Sequence, residues 1–445
     1  MKRGGSVNVS RKVWSTTAAV ATLLTVSACS GSSGSGGGDE ASGDPLVVGM
    51  LMAFSGPTAV EGAEVVNGCL PAAAQINEAG GVLGRDIECE AFDTKGTASD
   101  SVPAARQMLS TTSNLFAVLG PSTAEAVAAA PVLEDATQVM FSPAGDGRFD
   151  RTELDYYYRL VTSDSVGAQA MALHSQQSAF NDVALVFVSG ASAQANIPPL
   201  EEALDGLGVG VTEAMTIQPE QPSYRTEVAR IMQNRPAAIL FEADAVTAGT
   251  FLTELNQAGG GDIPVVANTL ATTGEWQEAA LAAYGGDEAM AKALQVVIRY
   301  SQEGGPGTET FTQTIESLDG QEGIDVASFK DSAYARAAYD GVVLSGLSAT
   351  KTDSVDPETF NEAIPEILTA GNGKTVVNTY AEGVEALGKG EDIQYVGANG
   401  EYRLNEFHNT IGAFAYYDWD PAAKELRLVN QLDAAELEAL ASGQR

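Results

Sequence analysis

"PLVVGMLMAFSGPTAVEGAEVVNGCLPAAAQINEAGGVLGRDIECEAFD", residues 45–93, holds the fold in miniature. "LVVGMLMAF" is an unbroken apolar run, the pattern of a strand covered on both faces. "AEVVNGCLPAAAQINEAG" carries its apolar residues at helical spacing and stops at Gly80. "RDIECEAFD" then alternates polar and apolar residues, as a strand with one covered face does. A strand, a helix and a strand in that order form the crossover unit of a parallel sheet.

The beat continues outward from that unit. "SDSVPAARQMLSTT", "LFAVLG", "TAEAVAAAPVLEDA" and "QVMFSPAG" alternate as helix, strand, helix and strand. It resumes with "DVALVFVSG", "IPPLEEALDGLG", "VGVTEAMTIQ", "YRTEVARIMQNR", "PAAILFEAD", "GTFLTELNQAGG" and "IPVVANTL". Two such runs predict an α/β protein of two doubly wound parallel-sheet lobes. Ligands of open α/β sheets bind beyond the carboxyl ends of the strands. Five loops lie there: "AFSGPTAVEG", "LGPSTAEA", "SPAGDGRFD", "VFVSGASAQAN" and "FEADAVTAG".

The chain of 445 residues is 44% hydrophobic and carries a net charge of −35. So acidic a body repels nucleic-acid phosphates and anionic lipid alike, so no nucleic acid partner is expected. At its start Lys2, Arg3, Arg11 and Lys12 precede an uncharged stretch from Val13 to Ala28. A positive head, a short apolar run and small residues at the end predict a secretory signal peptide over residues 1–28. "VSACSGSSGSGGGDE", residues 26–40, resembles a bacterial lipoprotein cleavage box. Cys29 is then expected to be lipidated, with residues 29–44 as a tether reaching about 20 Å. The membrane would be met only through that lipid.

Cys69 and Cys89 leave two readings open: a disulfide from an early helix to the next strand, or two buried thiols. His174 and His408 are too few for a histidine or cysteine zinc site, and no metal or cofactor is expected.

The order of these segments resembles the branched-chain amino-acid-type substrate-binding proteins of ABC transporters, the leucine/isoleucine/valine-binding family. The stretch quoted first carries the likeness, together with "VLGPSTAEAVAAAPVLEDA", "RLVTSDSVGAQAMA", "PSYRTEVARIMQNRPAAILFEAD", "SAYARAAYDGVVLSGLSA" and "YVGANGEYRLNEFHNTIGAFAYYDWD". The resemblance implies a periplasmic binding protein type I fold, with three hinge crossovers and a small ligand held between the lobes. Lobe 1 is expected at 45–164 plus 301–408, and lobe 2 at 165–300 plus 409–445. It also implies a monomer on the outer face of the plasma membrane or in the periplasm, delivering its ligand to an ABC transporter permease.

By the same resemblance Ser122 and Thr123 meet the ligand carboxylate, and the Ala144 carbonyl meets its ammonium. Five matched positions depart from the family pattern. Glu61 stands where an aromatic ring packs, Asp146 where a threonine contacts the ligand head, and Ser192 and Asp244 where tyrosines are usual. Thr269, or Asn268 one residue earlier, takes the place of a glutamate. Acids at Glu61, Asp146 and Asp244 predict a cleft suited to an extra ammonium, amide or hydroxyl group rather than an aliphatic side chain. Arg148 has two roles open to it, pairing with Asp146 or receiving a ligand carboxylate. The ligand is thus expected to be an amino acid or a related polar or cationic solute. A urea or short-amide binder, and a sensing lipoprotein feeding a receptor, are the alternatives.

No enzyme is expected. "GVEALGKG", residues 383–390, has Walker A spacing, but Gly390 replaces the hydroxyl residue that would hold magnesium. Neither histidine has a catalytic-triad context.

Overall fold

The computed structural model describes residues 43–56, 58–300 and 304–441. Cys29, the signal peptide and nearly all of the expected tether lie outside the described residues.

Five strands make the first sheet: β1 (Leu46–Met52), β2 (Ile87–Asp93), β3 (Leu115–Leu119), β4 (Met140–Phe141) and β5 (Tyr157–Tyr158). Their order is β2-β1-β3-β4-β5 and every pairing is parallel. All seven residues of the central β1 are buried, whereas edge strand β2 buries only Ile87 and Phe92. Helices α1 (Ala59–Glu78), α2 (Ala98–Thr111) and α3 (Thr123–Glu134) link the strands.

A distant segment completes this core. The helix Ala333–Thr352 packs along α1, and Tyr339, Val342, Val343 and Leu347 join Val48, Met50, Ala72 and Ile76 in one buried cluster. Gly68 permits the contact, since a Cβ there would lie 2.3 Å from the Ala335 carbonyl oxygen. Asp340, fully buried on that helix, accepts hydrogen bonds from the Tyr395 hydroxyl (2.7 Å), the Tyr402 hydroxyl and the Ala398 amide (2.8 Å). Cys69 on α1 and Cys89 on β2 are joined as a disulfide, with Cα atoms 6.3 Å apart.

The second sheet begins after α4 (Asp164–Gln177) with β6 (Asp182–Val188), β7 (Gly210–Ile217), β8 (Ala238–Glu242), β9 (Val265–Ala267) and β10 (Leu294–Tyr300). Helices α5 (Ala191–Gly206), α6 (Arg225–Asn234) and α7 (Ala245–Leu255) join its earlier strands. A short parallel pair, β11 (Thr375–Val377) and β12 (Ile393–Tyr395), stands by the first core. The chain then returns to the second sheet with β13 (Ala413–Asp420) and β14 (Glu425–Gln431), giving the order β14-β13-β10-β9-β8-β6-β7.

These last two strands run antiparallel, unlike the rest. The reason is length: the residues between Asp420 and Glu425 suffice for a hairpin turn but not for a crossover. The chain therefore passes between the sheets three times: after β5, after β10 and before β13. The first and third passages lie side by side, bridged at Arg159 and Asn409. Among the described residues no helix is long and apolar enough to cross a membrane.

Candidate functional site

A cavity of about 270 Å³ opens at the carboxyl ends of the first sheet's strands, where the topology predicts a ligand. Its walls come from four places. Met52 ends β1; Glu61, Glu64 and Val65 face it from the start of α1; Ser122 and Thr123 open α3; Pro143, Gly145, Asp164 and Tyr334 close the remainder.

Glu61 and Glu64 are three residues apart and so share a helix face. Glu61, in the first turn, suits the positive end of the helix. Glu64 accepts a hydrogen bond from the Ser332 hydroxyl at 3.0 Å, yet burial pushes its carboxyl above the ordinary value and the nearby Glu61 charge adds to the rise. Asp164 is also pushed up by partial burial, against the pull of Arg299 and Arg159, though half of its side chain remains exposed. Gly145 makes room for it, since a Cβ at that position would come within 2.5 Å of the Asp164 carboxylate.

Ser122 is the residue before α3, with a β-type backbone and no side-chain bond to the helix amides. Its hydroxyl instead lies 2.9 Å from that of Thr123, whose φ of 41° is left-handed. Glu125, one turn on, is buried and accepts a hydrogen bond from the Thr94 hydroxyl. The mouth of α3 thus presents two hydroxyls to the cavity at a helix end that favours anions.

A cation beside these groups is Arg299. It donates to the Thr162 carbonyl and to the Tyr334 hydroxyl at 3.3 Å, and stands 3.6 Å from Asp164. No group of three His, Cys, Asp or Glu among the described residues is placed to hold a metal ion.

Of the residues singled out from the sequence, Glu61, Ser122 and Thr123 line this cavity, whereas Ala144, Asp146, Asp244 and Thr269 are placed elsewhere. Ala144 is fully buried and its carbonyl accepts from Arg159 Nη1 at 3.3 Å. Asp146 caps the turn Gly147–Phe149 and pairs with Arg148 at 2.6 Å, and that guanidinium holds its carboxyl below the ordinary value. Asp244 caps α7, accepting from the Val246 and Thr247 amides at 3.0 Å each and from the Thr247 hydroxyl at 2.7 Å. Burial would raise its carboxyl, but these donors outweigh burial and hold it low. Thr269 begins a short turn capped by Asn268, which also donates to Glu242 at 2.8 Å. Ser192 falls in the first turn of α5, and its side chain lies outside what is described.

Two acids of the cavity wall, Glu64 and Asp164, and one buried acid of the second sheet, Glu242, are not singled out by the sequence. Glu64 could have been found by stepping one turn along α1 from Glu61. Asp164 had only its place at the start of a helix to mark it. Glu242 ends the apolar strand β8 and is 5% exposed, held by amides from Asn196 and Asn268. An acid closing an apolar strand was its signal.

Comparison with known proteins adds the following. A family model described as periplasmic binding protein matches residues 45–384. A Leu/Ile/Val-binding protein of Rhizobium johnstonii is 23% identical over 235 residues, 52% of this chain and 63% of that relative, so the chain spans under two thirds of its length. The branched-chain amino acid transporter substrate-binding protein of Streptococcus pneumoniae, solved with isoleucine, superposes with a TM-score of 0.60. It is 18% identical, with 86% of this chain and all of that chain covered. An ABC transporter solute-binding protein of R. palustris, solved with benzoate, also gives a TM-score of 0.60, at 15% identity over 87% of this chain and 96% of its own. These structural likenesses concern the fold.

Proposed function

The chain belongs to the periplasmic binding protein family, and on that premise we propose that it captures an amino acid or similar small, amino-bearing solute between two lobes. It then delivers the solute to an ABC transporter permease. The observation that carries the ligand class is the wall of the cavity, which combines Glu61, Glu64 and Asp164 with the Ser122 and Thr123 hydroxyls at the mouth of α3. A carboxylate suits the helix end and its hydroxyls. An ammonium, or several N–H donors, suits the acids, because a carboxylate in a partly dehydrated cleft is costly until it is paired.

The cavity, about 270 Å³, lies just below the roughly 300–1,000 Å³ of drug-sized pockets, in keeping with a small solute. The relatives named above bind branched-chain amino acids or benzoate, so family membership by itself does not select the ligand. A urea or short amide would use the same acceptors through its N–H groups, and a sensing role would use the same capture. The lobes, 45–164 with 301–408 and 165–300 with 409–445, would close on the ligand by hinge bending. Cys29 would keep the protein at the outer membrane face as a lipid-anchored monomer, and Cys29→Ala should release it into the medium.

A thermal-shift screen tests the ligand class. The panel contains aliphatic, amide and cationic amino acids, polyamines, urea and short amides, applied to the ligand-free chain from residue 39 onward. A compound at 100 times its dissociation constant stabilises by about 2.7 kcal/mol. A response to cationic or amide compounds is expected, and it should be lost in Glu61→Gln with Glu64→Gln. A response confined to aliphatic amino acids would overturn the assignment.

A further inference from the structure

Behind the ligand cavity, where the first and third passages between the sheets run together, lies a second and much smaller space. It measures about 30 Å³, and its lining includes Asp150, Arg159, Ser165, Gln169 and Asn409. The Arg159 amide donates to the His408 carbonyl at 3.0 Å, and the Thr410 amide donates to the Arg159 carbonyl at 2.9 Å. The space is therefore framed by hinge backbone.

Its side chains are buried and incompletely bonded. Arg159 is 1% exposed and Asn409 3%. Arg159 spends Nη1 on the Ala144 and Asp146 carbonyls and Nη2 on the Asp150 carboxylate. Its Nε–H has no protein acceptor. Asn409 donates from Nδ2 to the Phe149 carbonyl at 2.8 Å and the Asp150 carbonyl at 3.1 Å. Those two acceptors fix the amide orientation, since the reverse would set oxygen against oxygen. The Asn409 Oδ1 that results has no protein donor, and neither has Gln169 Oε1.

One buried donor and two buried acceptors around a space of this size match a single kind of molecule. Water accepts one hydrogen bond and donates two, and about three bonds are usual for a buried water. The charge of Arg159 is already met by Asp150 at an ion pair, so the space offers no net charge to attract an ion. We propose that this pocket is a resident-water site built into the hinge, the water bound by Arg159 Nε, Asn409 Oδ1 and Gln169 Oε1.

The water joins three elements that must move relative to one another when the lobes close: the first passage, the third passage and α4. A polar chain leads from it to the ligand cavity. Asp150 accepts from the Ser165 hydroxyl, which lies 2.8 Å from the Ser163 hydroxyl, and Ser163 bonds the Gly145 carbonyl at 3.4 Å. Gly145 is itself a wall of that cavity. A water can exchange its partners as the hinge turns, where a direct contact would leave Arg159 Nε unpaired. The proposal stands independently of the ligand's identity.

Two measurements test it. In an atomic-resolution crystal structure of the ligand-free protein, a full-occupancy water is expected within roughly 2.7–3.2 Å of all three atoms. A sodium or chloride ion there, or an Arg159 Nε bonded to a protein oxygen, overturns the proposal. Gln169→Leu supplies a sign test. Removing an acceptor that has no partner stabilises a protein, whereas removing one that binds water lowers its stability. A fall in Tm of about 1–4 °C is expected, and a rise or no change overturns the proposal.

Discussion

Glu64 and Asp164 differ from Asp146 and Asp244 in the direction of their titration. Both are pushed above ordinary carboxylate values of 4.5 and 3.8, chiefly by burial. An acid whose folded value is raised gives up its proton first in the unfolded chain. Its contribution to stability therefore falls as pH rises from the ordinary value through the raised one. At neutral pH Glu64 is a standing cost to the ligand-free protein, one that a bound ammonium offsets, whereas solvent screens Asp164, whose side chain is 51% exposed. Glu64→Gln should thus raise the Tm of the ligand-free chain at neutral pH while weakening an ammonium-bearing ligand about tenfold or more, by calorimetry. Affinity for such a ligand should also climb with pH across the acidic range in which Glu64 and Asp164 lose their protons. A pH-independent affinity would contradict the assignment. Asp146 and Asp244 are held low by Arg148 and by the amides of α7 respectively, and their substitution should leave that pH profile in place. A sequence position names an acid but not its partner, which is why Asp146 and Asp244 looked equivalent to Glu61 before the fold was known.

Among the elements, α1 carries the most constraint. It is joined to β2 by the Cys69–Cys89 disulfide, packed against the helix Ala333–Thr352 through Gly68, and turned toward the cavity at its first residues. The bond closes a loop with a sequence separation of 20, which the chain-entropy relation converts to about 3 kcal/mol. Replacing both cysteines by serine should lower the urea midpoint by a corresponding amount without abolishing ligand binding. Gly68→Leu should cost at least about 1–3 kcal/mol, because the new side chain meets the Ala335 carbonyl rather than a movable tip. Apolar periodicity located α1 and its strand partners from the sequence. It gave no indication that the helix packed on α1 would come from residues some 270 positions away, since any apolar face could fill that place.

Across the whole molecule, three passages of chain connect two sheets, and Arg299, near the end of β10 where the second passage begins, reaches the first. Its guanidinium reaches the Thr162 carbonyl in the first passage and the Tyr334 hydroxyl on the cavity wall. A ligand drawn from the screen should reduce the radius of gyration in X-ray scattering. Arg299→Gln should blunt that reduction and weaken the ligand; unchanged scattering on saturation would argue against closure. The alternation of strands and helices, the two sheets and the loops at their carboxyl ends were legible from the sequence, because burial of a periodic apolar face is a local property of the chain. The antiparallel β13–β14 pair, the joining of Glu61 to Glu64 and Asp164, and the diversion of Asp146 and Asp244 into capping were decided only in three dimensions. Each depends on which distant segments meet and on which donors a carboxylate finds there, and hydrophobic spacing carries no record of either.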